Sequence, residues 1–288
     1  MHSPTARRRT LSAELAKLRR EHRQPDGTPT TAAHVASTLG WQQSKLSRIE
    51  TNQWKRPSPR DVQDLLDYYG AEDESYRSYI LKLVTEGRSK AWWTEIEDLY
   101  ASTNYIGLES AATRVRTWSP MLVPGLFQTR DYAAALFAGA DIRNPEEVER
   151  RIDARMHRQQ LLAHTDPPRV WAVIDESALR KAVGGRDVQA GQVRHLLTIT
   201  EQENLTLQVM RDAAGAHAGM AGAFTLLDFE AGDQPVVHLE NFSESLLLEA
   251  PEKTDRYDWL FHHVSAAASS PADTTVYLHE LLTELEAP

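Results

Sequence analysis

The hydrophobic period changes once along the chain, near residue 170, and this limits the architectures open to it more than any other feature. Before that point apolar residues recur three and four apart, as on one face of a helix; after it short strand-type runs dominate. Leu11, Leu15 and Leu18 mark a helix from Ser12 to His22, broken by Gln24, Pro25, Asp26, Gly27 and Pro29. Residues 31–39 give a second short helix with Val35, Ala36 and Leu39 inward, stopped by Gly40, and residues 42–51 a third with Leu46 and Ile49 inward. Ser58 before Pro59 is a good helix start, and a fourth helix runs to Tyr69 with Val62, Leu65 and Leu66 inward. A fifth, from about Asp73 to Glu86, aligns Tyr76, Ile80, Leu83 and Val84, and the segment from Gly87 to Lys90 reads as a hinge. Residues 1–87 thus form an all-α domain.

Helical spacing continues around Trp92 to Tyr100, Glu109 to Trp118, Thr129 to Phe137 and Pro145 to His164, where the Val148, Ile152 and Met156 stripe is assigned to core. Strand-type runs follow at Val170 to Asp175, Leu205 to Met210, Phe224 to Phe229, Val236 to Glu240 and Ser245 to Leu248. The last three leave no room for helices between them and predict an antiparallel meander, with flanking helices at 187–203 and 252–267. The fold class expected is therefore multidomain, an all-α N-terminal domain followed by an α+β domain over residues 92–288 with an antiparallel sheet.

The 288 residues are enough for two domains. Their charge is unevenly divided: residues 1–60 hold 12 Lys and Arg against 4 Asp and Glu, a net of +8, which leaves −17 of the total −9 to the rest. A basic module for a polyanion joined to an acidic body that a polyanion repels is the division this implies. No cysteine is present, which excludes disulfides, thiolate nucleophiles and cysteine-bound zinc and fits a reducing cytoplasm. No apolar run approaches the ~20 residues needed to span a bilayer. Arg7, Arg8 and Arg9 lead into a polar pattern rather than a signal sequence. A soluble, cytoplasmic protein without membrane contact is expected.

Ala36, Gly40 and Leu46 stand at relative positions 5, 9 and 15 of a helix-turn-helix: a small residue where helices cross, a glycine in the turn, an apolar residue locking the second helix. With Val35, Leu39 and Ile49 beside them and basic residues around them, Leu18, Arg19, the stretch from Thr31 to Glu50 and the helix after Pro59 resemble the xenobiotic-response-element, or phage-repressor-like, family of transcription regulators. The resemblance covers residues 11–70; Thr31 stands where the family usually has a DNA-contacting glutamine, and the loop at 23–30 is longer. The third helix is then the one that enters the major groove. Gln42, Gln43, Ser44, Lys45, Ser47 and Arg48 face outward on it. Gln43 and Ser44 are the expected base readers and Arg48 a base or phosphate contact, whereas Thr31, Lys45, Asn52, Lys55 and Arg56 are expected at phosphates. Glu50 is expected to pair with Arg19, as in the family, and to be structural.

In the second domain, Trp92-Trp93, Leu108-Glu109, the run from Val123 to Thr129 with Tyr132-Ala133, Arg151, Arg155, Asp175-Glu176 and Gly215-x-His217-x-Gly219 before Phe224 resemble an uncharacterised domain found behind such helix-turn-helices in actinobacterial regulators. This resemblance implies small partner proteins in toxin-antitoxin-like or developmental regulation. Ligand sensing is the alternative, with Trp92, Trp93, Trp118 and Tyr132 as pocket or, more often for such spacing, core, and the segment from Pro124 to Thr129 as a second place to look. A remote enzymatic reading takes His217 as base with Asp228 or Glu240 orienting it, but no nucleophile or phosphate-loop pattern accompanies them. Adjacent His262 and His263 point to different sides of a helix and do not form a metal pair. The expectation is a DNA-binding regulator that is not an enzyme, uses no metal or cofactor, binds double-stranded DNA as a homodimer, and docks a small partner protein through its acidic domain.

Overall fold

The computed structural model describes all residues except 1, 2, 55, 97, 98, 100–102, 141, 143, 231, 232, 241–244 and 288. The chain divides into two compact units, residues 1–94 and 95–288.

The first unit is five helices: α1 Pro4–Glu21, α2 Ala32–Thr38, α3 Gln43–Glu50, α4 Pro59–Tyr68 and α5 Glu74–Gly87. Helix α1 begins eight residues before the expected Ser12, because Ser3 caps it and Pro4 opens it. The early start gives the three arginines structural partners: Arg7 pairs with Glu86 at 2.9 Å, Arg8 donates to Gly87 O at 3.0 Å, and Arg9 is buried. The core is formed by Leu11, Leu15, Val35, Leu46, Ile49, Val62, Leu65, Leu66, Ile80, Leu83 and Val84, the inward residues that the helical spacing selects.

Helices α2, α3 and α4 end alike. In each, the residue after the cap is left-handed, Gly40 at φ 67°, Asn52 at 55° and Gly70 at 65°, and the next residue's N–H returns to a carbonyl in the last turn: Trp41 to Ala36 O, Gln53 to Arg48 O, Ala71 to Leu66 O. A Cβ on Gly40 would meet nothing within 4 Å, so glycine is there for its backbone angle and not for space.

The second unit is a six-stranded sheet with helices on both faces. Its strands are β1 Arg114–Ser119, β2 Arg169–Asp175, β3 Leu205–Met210, β4 Phe224–Asp228, β5 Val236–Glu240 and β6 Ser245–Leu248, in the order β3-β2-β1-β4-β5-β6. Strands β4, β5 and β6 form the expected antiparallel meander. The sheet as a whole is mixed: β1 pairs parallel with β2 and antiparallel with β4, and β2 pairs parallel with β3.

Segment 109–118, expected to be helical, is corrected here. Helix α6, Thr103–Glu109, stops where that helix was placed to begin, and Arg114–Ser119 is the central strand β1. Its polar-looking Arg116 is in fact buried, which hid the strand's pattern. The expected helix from Trp92 to Tyr100 is a short 3-10 turn over Trp92–Ile96; residues 97, 98 and 100 lie outside the described ones. The remaining helices are α7 Arg130–Gly139, α8 Pro145–Gln159, α9 Glu176–Arg180, α10 Arg186–Thr200, α11 Pro251–Ala267 and α12 Pro271–Glu286; the sequence reading places no element at α12.

One sheet face packs Val115, Ala172, Ile174, Leu207, Val209 and Leu227 against Phe127, Tyr132, Val193, Leu196, Tyr277 and Leu278. The other packs Trp118, Val173, Phe224, Leu226 and Val237 against Phe261 and Val264 of α11. Burial on both sides explains why β2 reads as an almost continuous apolar run.

Candidate nucleic-acid interface

Helix α3 is amphipathic over eight residues. Leu46 and Ile49 are buried and hold it to the core, while Gln43, Ser44, Ser47 and Arg48 are exposed. At about 100° per residue these four cover one arc of roughly 140°, so a single face presents two hydroxyls, an amide and a guanidinium. Arg48 Nε donates to Ser44 O at 3.2 Å along this face. Gln42 is the N-cap, exposed, and makes no side-chain capping bond, which leaves the positive end of the helix uncompensated.

The frame behind this face is fixed by charge. Arg19 of α1 grips Glu50 at the end of α3 with two bonds, Nε to Oε1 at 2.7 Å and Nη2 to Oε2 at 2.8 Å, and also donates to Thr30 O at 3.2 Å. This is the expected structural pair. Hydrogen bonding to Glu50 outweighs burial and raises the Arg19 pKa further.

Lys45 is more occupied than the sequence indicates. Its Nζ lies 2.8 Å from Asp61 Oδ1 and 3.9 Å from the Trp41 ring centroid, so it ties α3 to α4. Thr31 caps α2, its hydroxyl accepting from His34 N–H at 3.2 Å. Asn52 ends α3 in the left-handed conformation, and its buried Oδ1 has no hydrogen-bond partner. Arg56 is exposed, and Lys55 lies outside the described residues. Arg60, which the sequence reading passed over, is exposed in the first turn of α4 next to Asp61; its signal was its place in the basic stretch after Lys55 and Arg56.

The second unit joins the sequence pieces that carry its resemblance into packed polar clusters. The turn Gly125–Phe127 is pinned by α8 and α10: Gln159 Nε2 donates to Gly125 O at 2.9 Å and Gln128 O at 2.7 Å, and Gln192 donates to Phe127 O at 2.7 Å. Arg155 donates to Gln128 Oε1. Glu109, buried, takes two bonds from Arg158, each 2.9 Å, and one from Tyr105 OH at 2.7 Å. Glu176 accepts from Arg180 Nε and Arg211 Nε at 2.9 Å, Asp212 N–H at 3.0 Å and Tyr277 OH at 3.3 Å. Burial pushes Glu176 up, but these donors outweigh it and hold its pKa down at about 2.

The residues of the enzymatic reading are placed differently from one another. His217 Nδ1 accepts from Gly219 N–H at 3.2 Å and its ring meets Trp118 edge-on. Asp228 accepts from Arg114 and Arg116, while Glu240 is exposed at the end of β5. Trp118 and Tyr132 are core residues, and Trp93 is buried. His262 lies against Asp258 whereas His263 stacks on Trp259. Among the described residues no cluster of three His, Asp or Glu is placed to hold a metal ion, and no helix is long and apolar enough to cross a membrane.

Comparison with protein families matches residues 10–77 to a helix-turn-helix domain and residues 102–280 to a domain of unknown function, DUF5753. Comparison with curated proteins and with solved structures gives no match. With more than half of its length matched by that model, the chain belongs to the DUF5753 family, and it carries a helix-turn-helix DNA-binding domain ahead of the family's own domain.

Proposed function

We propose that this chain is a sequence-specific transcription regulator of the xenobiotic-response-element type, which binds double-stranded DNA as a homodimer in the cytoplasm and acts without catalysis, metal or cofactor. The exposed face of Gln43, Ser44, Ser47 and Arg48 on a helix anchored by Leu46 and Ile49 carries the reading. An amide can pair with adenine N6 and N7 and a guanidinium with guanine O6 and N7 in the major groove. Gln42, Arg56 and Arg60 flank that face, and Thr31, Asn52 and Lys55 are the further phosphate candidates. Lys45 reaches a phosphate only as a shared partner of Asp61.

Selection of genomic fragments by the full-length protein tests this. The expected result is enrichment of one operator whose affinity falls steeply as salt rises; absence of salt-dependent affinity for any fragment rejects it.

The acidic second unit, with 16 Lys and Arg against 30 Asp and Glu over residues 95–288, is proposed to dock a small basic partner protein as in toxin-antitoxin-like or developmental pairs. A net charge of −14 over residues 95–288, from 16 basic and 30 acidic residues, supports it. Ligand sensing is the competing outcome: a metabolite that raises the melting temperature and shifts operator affinity, with no protein partner recovered, replaces docking.

A further inference from the structure

The two edges of the sheet end differently. At β3 the chain leading into α12 closes the ladder: Ser269 N–H donates to Val209 O at 2.9 Å, and Val209 N–H donates to Thr274 Oγ1 at 3.0 Å. Gln208 Nε2 adds a bond to Ser269 O at 2.8 Å. At the opposite edge β6 pairs with β5, and among the described residues no hydrogen bond crosses to its outer side. Its sequence there is Ser-Leu-Leu-Leu, with Leu246 52% exposed. Natural edge strands are blunted by short length, lysine, proline, an inward charge or a bulge; β6 is short, at four residues, but residues 245–248 contain no lysine, proline or charge. Such an edge accepts an added extended strand through its main-chain groups.

Charge selects the occupant. Between Arg211 and Lys253 lie 41 residues with no Lys or Arg and eight Asp or Glu. Asp228 is neutralised by Arg114 and Arg116, but Glu240 is exposed and sits opposite Ser245 in the ladder. A second copy of the chain pairing here would set one acidic edge against another, which like-charge opposition disfavours. An extended segment rich in Lys or Arg meets both the open ladder and the field. We propose that the β6 edge takes an extended basic segment of a partner protein as a seventh strand, a placement that rests on the docking reading of the acidic unit.

Two fluorescein-labelled peptides serve as probes on the full-length protein, one alternating valine with lysine and the other valine with glutamate. The lysine peptide is expected to bind, more weakly as salt rises, and to slow amide exchange of Leu246, Leu247 and Leu248. Leu246→Lys, on an exposed side chain, is expected to weaken it about tenfold with melting temperature and operator affinity unchanged, and Glu240→Lys to weaken it about threefold. Equal affinity for the two peptides, or exchange protection centred away from β6, overturns the edge assignment, while the docking reading is tested separately by whether the full-length protein recovers a small basic protein partner. Binding of neither peptide overturns it too. A concentration-dependent dimer abolished by Leu246→Lys makes the second copy the occupant and replaces the basic partner.

Discussion

At the scale of single residues the first unit divides into side chains held by the fold and side chains left exposed on α3, the proposed readers. Glu50 positions: it faces Arg19 through two charge-assisted bonds, and Glu50→Ala leaves that guanidinium, itself mostly buried, with one protein partner at Thr30 O. The expected loss is about 1.5–3 kcal/mol of stability, measured by denaturant unfolding. Gln43 is the proposed reader: it is exposed on α3. Gln43→Ala is expected to cost about 1–3 kcal/mol on the operator and to relax preference at one base pair, whereas Arg56→Ala weakens operator and scrambled DNA alike. Competition binding on both DNAs distinguishes them, and equal losses for Gln43→Ala remove it from the readers. Glu176 gives a pH signature in the second unit. Its folded pKa, about 2, lies below the ordinary 4.5, so its contribution is present above about pH 4.5 and is lost as pH falls from there toward 2. Removing its donors by Arg211→Gln and Tyr277→Phe is expected to make acid unfolding of the second unit begin at higher pH, followed by tryptophan fluorescence.

At the scale of elements the contact between the turn Ala218–Ala221 and the sheet is the most exacting. Trp118 Nε1 donates to Gly219 O at 2.8 Å, and a Cβ on Gly219 would lie 2.7 Å from the same indole and 3.0 Å from Val264. Gly219→Ala is expected to destabilise the second unit by about 1–3 kcal/mol through overpacking, seen as a lower thermal midpoint; an unchanged midpoint shows that the turn shifts freely. The Gly-x-His-x-Gly stretch that drew a catalytic reading thus has a packing use. Other elements were legible for plain reasons: Ser58-Pro59 and Asn144-Pro145 start helices, and Gly40 and Gly70 end them. Strand β1 was not, because Arg116 looks solvent-facing until Asp228 and Asp258, 112 and 142 residues away, supply its partners. Lys45 and Asn52 have structural ties that were hidden for a related reason. Both carry groups that suit a phosphate, yet the ion pair with Asp61 and the left-handed backbone that engage them are invisible to local spacing.

At the scale of the whole molecule one helix-turn-helix reads only a few base pairs, and two half-sites about one helical turn apart multiply that specificity. The full-length protein is therefore expected to sediment as a dimer on its operator; a single copy per operator at micromolar protein, by light scattering or sedimentation, rejects this. The placement of β1 at the centre of its sheet also bears on how the molecule comes into being. Every residue of the first unit's helical core lies within residues 1–94, whereas β1 pairs with residues 169–174 on one side and 224–228 on the other. During synthesis at about 5–20 residues per second, the reading unit is complete roughly ten seconds before the central strand receives its last neighbour. A growing chain thus carries a finished helix-turn-helix unit while its acidic body is still an open, half-built sheet, and a messenger cut short in that interval yields the first unit alone.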